Sequence, residues 1–538
     1  MKLNNAGALT GAFLTLTLIA LLILLHQPAG FAREDKQTAK TTPANPNQNA
    51  LDASPASVDA GLAREIDRIL NETDLKQARF GVFVISPANR RVLYAHNSEQ
   101  LFTPASNMKI YTTAVALDLL GPDYRWRTSV YAEKQADANG TINGDLTLFG
   151  RGAPDLLSKP KGDAPSLTKL ADQLFQAGVR EVHGNVVGDN SYFRGELFGD
   201  GWQWNDLQWY FGAEPSALSI DENSVEVTIA PAGKQGSNAS VVINPNSSPL
   251  HLINETKTGE NGDTTSIGIM RELSGNDLRV WGDFPVNGRA FSAFLSVHDP
   301  SMWAATLFKQ ALIARGIKVS GGARTRDFRM AETEKFEPKK GVELAYEDSE
   351  PLSAIIHHTN KESDNLYAEL LLRTIGKERG ASAPDPNPRK NRERGDDEAG
   401  TAVVRSWLDS KNIATNGLAI RDGSGLSRLD LITPGTTARL LLAMSNTASA
   451  AIFQDSLPIA GRDGTLNSRL KKLTGRIFAK TGTLTYTHSL SGYATTPANE
   501  TLIFSVMCND ATDRNAVRII DEIATAIADF RSGAAAKQ

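Results

Sequence analysis

The chain has 538 residues, 41% of them hydrophobic and 22% charged, which is more than one ordinary domain of roughly 150 residues and apolar enough for folded cores. Its 57 basic and 61 acidic residues leave a net charge of −4, which argues against a protein that neutralises nucleic-acid phosphates, and no nucleic acid is expected as a partner. The single cysteine, Cys508, permits no internal disulfide, and the 8 histidines show no HExxH or paired CxxC spacing, so neither a metal nor a cofactor is expected.

In chain order, Lys2 precedes an apolar run from Ala8 to Leu25, and Gly30-Phe31-Ala32 supplies the small residues of a cleavage site. Residues 1–32 read as a secretory signal; at roughly 18 residues the run is also long enough for an uncleaved anchor, the one case in which a membrane contact is expected. Either way the rest is exported. Residues 33–57, rich in Thr, Ala, Asn, Gln and Pro, read as a flexible tether. The spacing predicts a helix over 58–71, then a strand with Phe80, Val82 and Val84 on one side and Phe83 and Ile85 on the other, buried on both faces. Pro87-Ala88-Asn89 turns the chain into a second strand through Val92, Leu93 and Tyr94. Pro104 opens a helix whose apolar face, Ile110, Ala114, Leu117 and Leu120, runs to a stop at Gly121.

From 127 to 289 the texture changes to strand-like pieces at 145–149, 224–229 and 240–243 separated by Gly, Asn, Asp and Pro, with one helix at 166–177, which reads as a mainly β insert. A helix is predicted from Ser363 to about Ile375, and the charged, proline-bearing run 377–400 reads as an exposed loop. Strands near 475–480, 488–495 and 501–508 precede a helix carrying Ala516, Ile520, Ile523, Ile527 and Phe530. Two strands at the start and three at the end complete one antiparallel sheet only if the two ends of the chain meet. The expected fold is therefore α+β: an antiparallel sheet flanked by helices, built from 58–126 and 290–531, interrupted by the insert 127–289 and followed by a tail, 532–538.

Three short motifs carry chemistry. Ser106-Asn107-Met108-Lys109 is an SxxK at a helix start, and residues three apart on a helix share a face, placing an amine beside a hydroxyl that needs a base. Ser158, in a Pro- and Lys-rich turn, and Ser166 and Ser468 also begin SxxK matches. Ser363-Asp364-Asn365 offers a hydroxyl to relay a proton and an amide to hydrogen-bond an amide substrate, and equally fits a helix cap. Lys480-Thr481-Gly482-Thr483, beside a strand, offers a cation and hydroxyls that can dock an extended substrate and hold its carboxylate. A second KTG, at Lys257, lies in a polar, turn-rich segment and precedes the SDN; it is set aside as a decoy.

In the order SxxK, SDN, KTG, the sequence resembles the serine penicillin-binding proteins and β-lactamases. More narrowly, it is similar to the class C low-molecular-mass penicillin-binding proteins, the D-alanyl-D-alanine carboxypeptidases and endopeptidases, known for a large insert between the first two motifs. Ser106 and Ser363 stand 257 positions apart (363 − 106). Asp422-Gly423-Ser424-Gly425-Leu426-Ser427-Arg428, Leu457-Pro458-Ile459-Ala460-Gly461 and Asp463-Gly464-Thr465-Leu466 resemble further segments of the family. Within the insert, Gly201-Trp202-Gln203-Trp204-Asn205-Asp206, Phe211 and Pro215-Ser216-Ala217-Leu218 resemble the stretch that sends an acid and an aromatic into the cleft.

The resemblance implies the penicillin-binding-protein fold and an acyl-enzyme on Ser106, with Lys109 as base, its pKa lowered by burial and by the charge of Lys480. It implies proton relay by Ser363, orientation of the acyl side by Asn365, an oxyanion held by the backbone of Ser106 and Thr483, and a carboxylate site at Lys480, Thr481, Gly482 and Thr483. It places Asp206, Phe211 and Arg428 around the side chain of the peptide's third residue, where Thr485 replaces the glutamine of some relatives. The implied partners are peptidoglycan stem peptides, with β-lactams as covalent inhibitors, in the periplasm or another extracytoplasmic wall space. A β-lactamase or a transpeptidase using the same site, or a non-catalytic wall-binding protein, are the alternatives.

Overall fold

Arg79–Ile85, the doubly apolar run, is buried along nearly its whole length because it lies inside a five-stranded sheet rather than at its edge. The order is Ile477–Leu484, Thr487–Thr495, Thr501–Asn509, Arg79–Ile85, Val92–His96, and every pair is antiparallel. Phe80 stands opposite Cys508 and Phe83 opposite Ser505, so the two ends of the folded chain meet as expected. The computed structural model describes residues 59–157, 165–334, 337–384, 393–513 and 515–531, all within the unit Asp52–Gln538. The signal or anchor, the tether and the tail lie outside the described residues, and among those described no helix is long and apolar enough to cross a membrane.

Helices Ala60–Glu72 and Ala516–Ala528 cover one face of the sheet. Leu62, Ile66 and Ile69 from the first and Ile520, Ile523 and Ile527 from the second share a core with Phe80, Val82, Val84, Leu490, Phe504 and Val506. Each such side chain stabilises by about 1.5–3 kcal/mol on burial. Phe83 faces the other way, where Arg439 of helix Pro434–Met444 stacks on its ring at 5.1 Å. The helix Met108–Leu120 is buried from Met108 through Leu117; a helix without a polar face belongs in the interior, and this one ends at Gly121, whose φ is +87°.

The insert is built on a second five-stranded sheet, Ala323–Arg326, Val186–Asp189, Leu146–Phe149, Arg127–Ala132 and Val342–Asp348 in that order. Helices Ser166–Gln176 and Pro300–Arg315 pack on it through Leu170, Leu174, Phe308 and Leu312. Two three-stranded sheets, one of Phe291–Ser296, Ser224–Ala230 and Ser240–Asn244 and one of His251–Gly259, Asp277–Pro285 and Gly268–Arg271, join the same core through Val227, Ile229, Val280 and Phe284.

Three expectations are corrected by these pairings. The insert does not end at 289: Val342–Asp348 pairs with the strand that opens it, Asp348 opposite Arg127, and partners so distant in sequence leave no trace in local composition. The run 377–400 is not one loop, because helix Asn365–Arg379 covers its start and helix Asp396–Ser410 begins inside it. Gly376 lets the two helices touch, since a Cβ there would collide with Asp396 O. Lys257 lies not in a turn but in the strand His251–Gly259, pointing outward while Thr256 and Thr258 are buried.

Candidate active site

The turn Ala105–Asn107 leads into helix Met108–Leu120 and presents Ser106. Ala105 has φ +50°, a left-handed backbone that costs a non-glycine residue about 1–2 kcal/mol. The turn is held from outside: Asn107 Nδ2 donates to Lys480 O at 2.9 Å. It is also held close, because a Cβ on Gly482 would collide with Ser489 Oγ and stand 2.7 Å from Pro104 O and 3.1 Å from Ser106 N. Gly482 thus clears space for the turn of its own chain that carries Ser106.

Lys109 is completely buried. Its Nζ donates to Ser106 Oγ at 3.1 Å, to Asn365 Oδ1 at 2.6 Å and to Ser424 O at 2.8 Å. Burial pushes the amine down to about 8, against the carboxylates Asp422, Asp364 and Glu369, which favour its charged form. Lys480 and Lys109 repel one another when both are charged, and burial first and Lys109 second hold Lys480 well below the ordinary lysine range.

Lys480, also completely buried, donates to Ser363 Oγ at 2.9 Å and to Thr481 O at 3.1 Å. The SDN divides its work. Asp364 is the cap of helix Asn365–Arg379, accepting from Tyr367 N at 3.0 Å, while Ser363, with φ +62°, and Asn365 turn to the two lysines. Asn365 Nδ2 donates to Phe211 O at 2.8 Å, which brings the insert into the site. Thr481 shares a hydrogen bond of 2.7 Å with Thr465, and Thr483 is exposed. So Ser106, Lys109, Ser363, Asn365 and Lys480 come together from three distant stretches.

Asp206 and Arg428 are half-buried and act on each other electrostatically: Arg428 lowers the Asp206 carboxyl that burial raises, and Asp206 raises the Arg428 guanidinium that burial lowers. Asp206 Oδ2 and Arg428 Nε are buried without a hydrogen-bond partner, and Arg428 Nη1 donates to Thr485 O at 3.1 Å.

The other SxxK serines are elsewhere: Ser166 opens an insert helix whose Lys169 pairs with Glu347 at 3.0 Å, Ser468 is exposed, and Ser158 lies outside the described residues. Although no metal-ligand spacing was read in the sequence, Glu222, His358 and Asp364 bring ligand atoms within 4.8 Å of one another beside the SDN. His358 Nε2 lies 3.5 Å from Asp364 Oδ2 and 3.8 Å from Glu222 Oε1, so the three polar side chains bring the insert up to the helix cap. Sequence reasoning missed the Ser424 carbonyl, a backbone group whose only signal was the family-like DGSGLSR segment around it.

The pattern of the D-Ala-D-Ala carboxypeptidase 3 (S13) family matches residues 62–529. The D-alanyl-D-alanine carboxypeptidase of Actinomadura sp. (strain R39) is 33% identical over 503 residues, 89% of this chain and 88% of that protein. The D-alanyl-D-alanine carboxypeptidase DacB of Haemophilus influenzae is 25% identical over 82% of this chain and 88% of its own. The crystal structure of penicillin binding protein 4 from Haemophilus influenzae is similar with a TM-score of 0.74 at 23% identity, over 86% of this chain and 99% of that one. The same protein complexed with a β-lactam is similar at 0.68 and 20% identity, over 87% and 100%. The likeness shows the shared α+β fold.

Proposed function

The chain belongs to the D-Ala-D-Ala carboxypeptidase 3 (S13) family and is a serine-type D-Ala-D-Ala carboxypeptidase, and we propose that its chemistry runs on Ser106 as nucleophile with Lys109 as base. One observation carries the reading. Lys109 Nζ has three partners, and two of them, Asn365 Oδ1 and Ser424 O, can only accept. An ammonium donates to all three; a neutral amine has two hydrogens for the carbonyl oxygens and a lone pair left for the Ser106 hydroxyl, 3.1 Å away. Burial of the amine favours that neutral form.

The Ser106 oxygen, losing its proton to Lys109, attacks the carbonyl carbon between the two terminal D-alanines. The backbone N–H groups of Ser106 and Thr483 hold the oxyanion, a contact worth about 3–4 kcal/mol per donor. Ser363, hydrogen-bonded to Lys480, relays a proton to the amine as the C–N bond breaks and D-alanine leaves. Lys480, Thr481 and Thr483 hold the terminal carboxylate, on the edge strand Ile477–Leu484 where a substrate can add as a further strand. Water then hydrolyses the ester.

The proposed substrates are peptidoglycan stem peptides outside the cytoplasm, and β-lactams, which mimic the dipeptide, acylate Ser106. Ser106→Ala is expected to form no adduct with labelled penicillin and to release no D-alanine from a D-Ala-D-Ala-terminated tripeptide; an adduct that persists would overturn the reading. A penicillin adduct turned over within seconds would favour the β-lactamase alternative. Cleavage of cross-linked as well as monomeric muropeptides would add endopeptidase activity to the carboxypeptidase.

Asp206 and Arg428 carry opposite charges and each keeps a buried polar atom without a partner, so they suit a third-residue side chain ending in an amine and a carboxylate. Asp206→Ala is expected to lower kcat/KM for a peptide with such a side chain by about tenfold or more, as loss of a charged hydrogen bond does. The rate on a peptide with alanine at that position should not change.

A further inference from the structure

The segment 422–428 has entered so far only through the Ser424 carbonyl, which accepts from Lys109, and through Arg428. It is wedged beneath the catalytic lysine. Gly425 has φ +81°, and a Cβ there would collide with Ala105 O, the residue before the nucleophile. On the other side Gly423 lies against the SDN helix, where a Cβ would stand 2.6 Å from Ala368 O.

A carboxylate set holds this loop by its backbone. Glu369, one turn beyond Asn365 on the SDN helix and 2% exposed, accepts from Gly423 N at 3.0 Å and Ser424 N at 2.8 Å, both through Oε1. Asp422 accepts from Gly425 N and Ser427 N, each at 2.7 Å, and from Trp202 Nε1 of the insert at 2.9 Å. Thr112, on the nucleophile helix, donates to Gly423 O at 2.7 Å. The outcome is one oriented group: the Ser424 carbonyl, pointing at Lys109 Nζ.

We propose that Glu369 is a positioning residue for Lys109: by holding the Gly423 and Ser424 amides it aims the Ser424 carbonyl, which takes one amine hydrogen so that the lone pair faces Ser106. The proposal rests on Ser106 and Lys109 being nucleophile and base. Glu369 acts through acceptance: one oxygen, Oε1, takes both amide hydrogens, and a glutamine carbonyl oxygen can do the same. Burial first, and then Asp422, push its carboxyl upward.

The test is rapid-mixing acylation of the full chain by a fluorescent penicillin, reading rate constant and final amplitude separately, with the adduct located by peptide mass. Glu369→Leu is expected to acylate about 10²-fold more slowly with one adduct per chain, the penalty of a misplaced catalytic group. Glu369→Gln is expected to recover to within about fivefold of the wild-type rate. A merely structural role would lower the amplitude and leave the rate of the remaining sites unchanged. That result, a wild-type rate for Glu369→Leu, or a Glu369→Gln as slow as Glu369→Leu would overturn the proposal. If Glu369→Leu does not fold, Thr112→Val decides: it removes the donor to Gly423 O and keeps the shape, so slower acylation at full amplitude supports the clamp and an unchanged rate overturns it. Wild-type protein without an adduct on Ser106 would instead sink the underlying site reading.

Discussion

Replacing Lys109 with methionine is expected to lower acylation of Ser106 by about 10³–10⁴-fold, the range of a lost general base, with little change in thermal stability. Two terms of similar size oppose each other in stability. Burying the amine, which lowers it from 10.5 to about 8, costs the folded state about 3 kcal/mol at any pH below 8; methionine removes that cost. It also leaves Asn365 Oδ1 and Ser424 O without their donor, at about 1–3 kcal/mol each. Activity loss without unfolding, read by penicillin acylation beside a thermal melt, is therefore the signature of a base. The wild-type rate should rise with pH through about 8, the expected behaviour of a site whose neutral amine takes the Ser106 proton. A profile flat from pH 6 to 9 would mean that another group takes the proton.

Gly482→Ala is expected to slow acylation by about 10²-fold and to lower stability by about 1–3 kcal/mol. The new methyl would collide with Ser489 Oγ and stand 2.7 Å from Pro104 O. Rotating the serine does not relieve this, since its hydroxyl is spent on Pro104 O at 2.7 Å and the carbonyl stays in place. The turn carrying Ser106 has to move off the strand, stretching the bond from Asn107 Nδ2 to Lys480 O. The rate constant and amplitude of acylation check this; a variant with the wild-type rate would show that the close approach is not needed.

Both substitutions sit in motifs that were readable as patterns, yet their expected effects come from contacts that were not. Ser106 and Lys109 share a helix face by spacing alone, and Lys480 is marked by Thr481 and Gly482. The Ser424 carbonyl has no side-chain signature, since every residue owns a carbonyl and only packing aims one at an amine. Glu369 reads in sequence as one more polar residue on a helix and becomes informative only when it is seen to be 2% exposed beneath a loop 53 or more positions away (422 − 369).

The split sheet, the SxxK helix and the serine-type family follow from local signals: a doubly apolar strand near the start and three strands near the end, a proline-started helix, three motifs in order. Local signals work there because strands and helices announce themselves through side-chain period. The end of the insert, the helix starting at Asp396 and the carboxylates behind Lys109 depended on contacts between stretches tens to hundreds of residues apart. Such contacts depend on which surfaces fit, as at Gly376 and Gly482, and on how far burial shifts a charge, and neither quantity exists until the chain has folded.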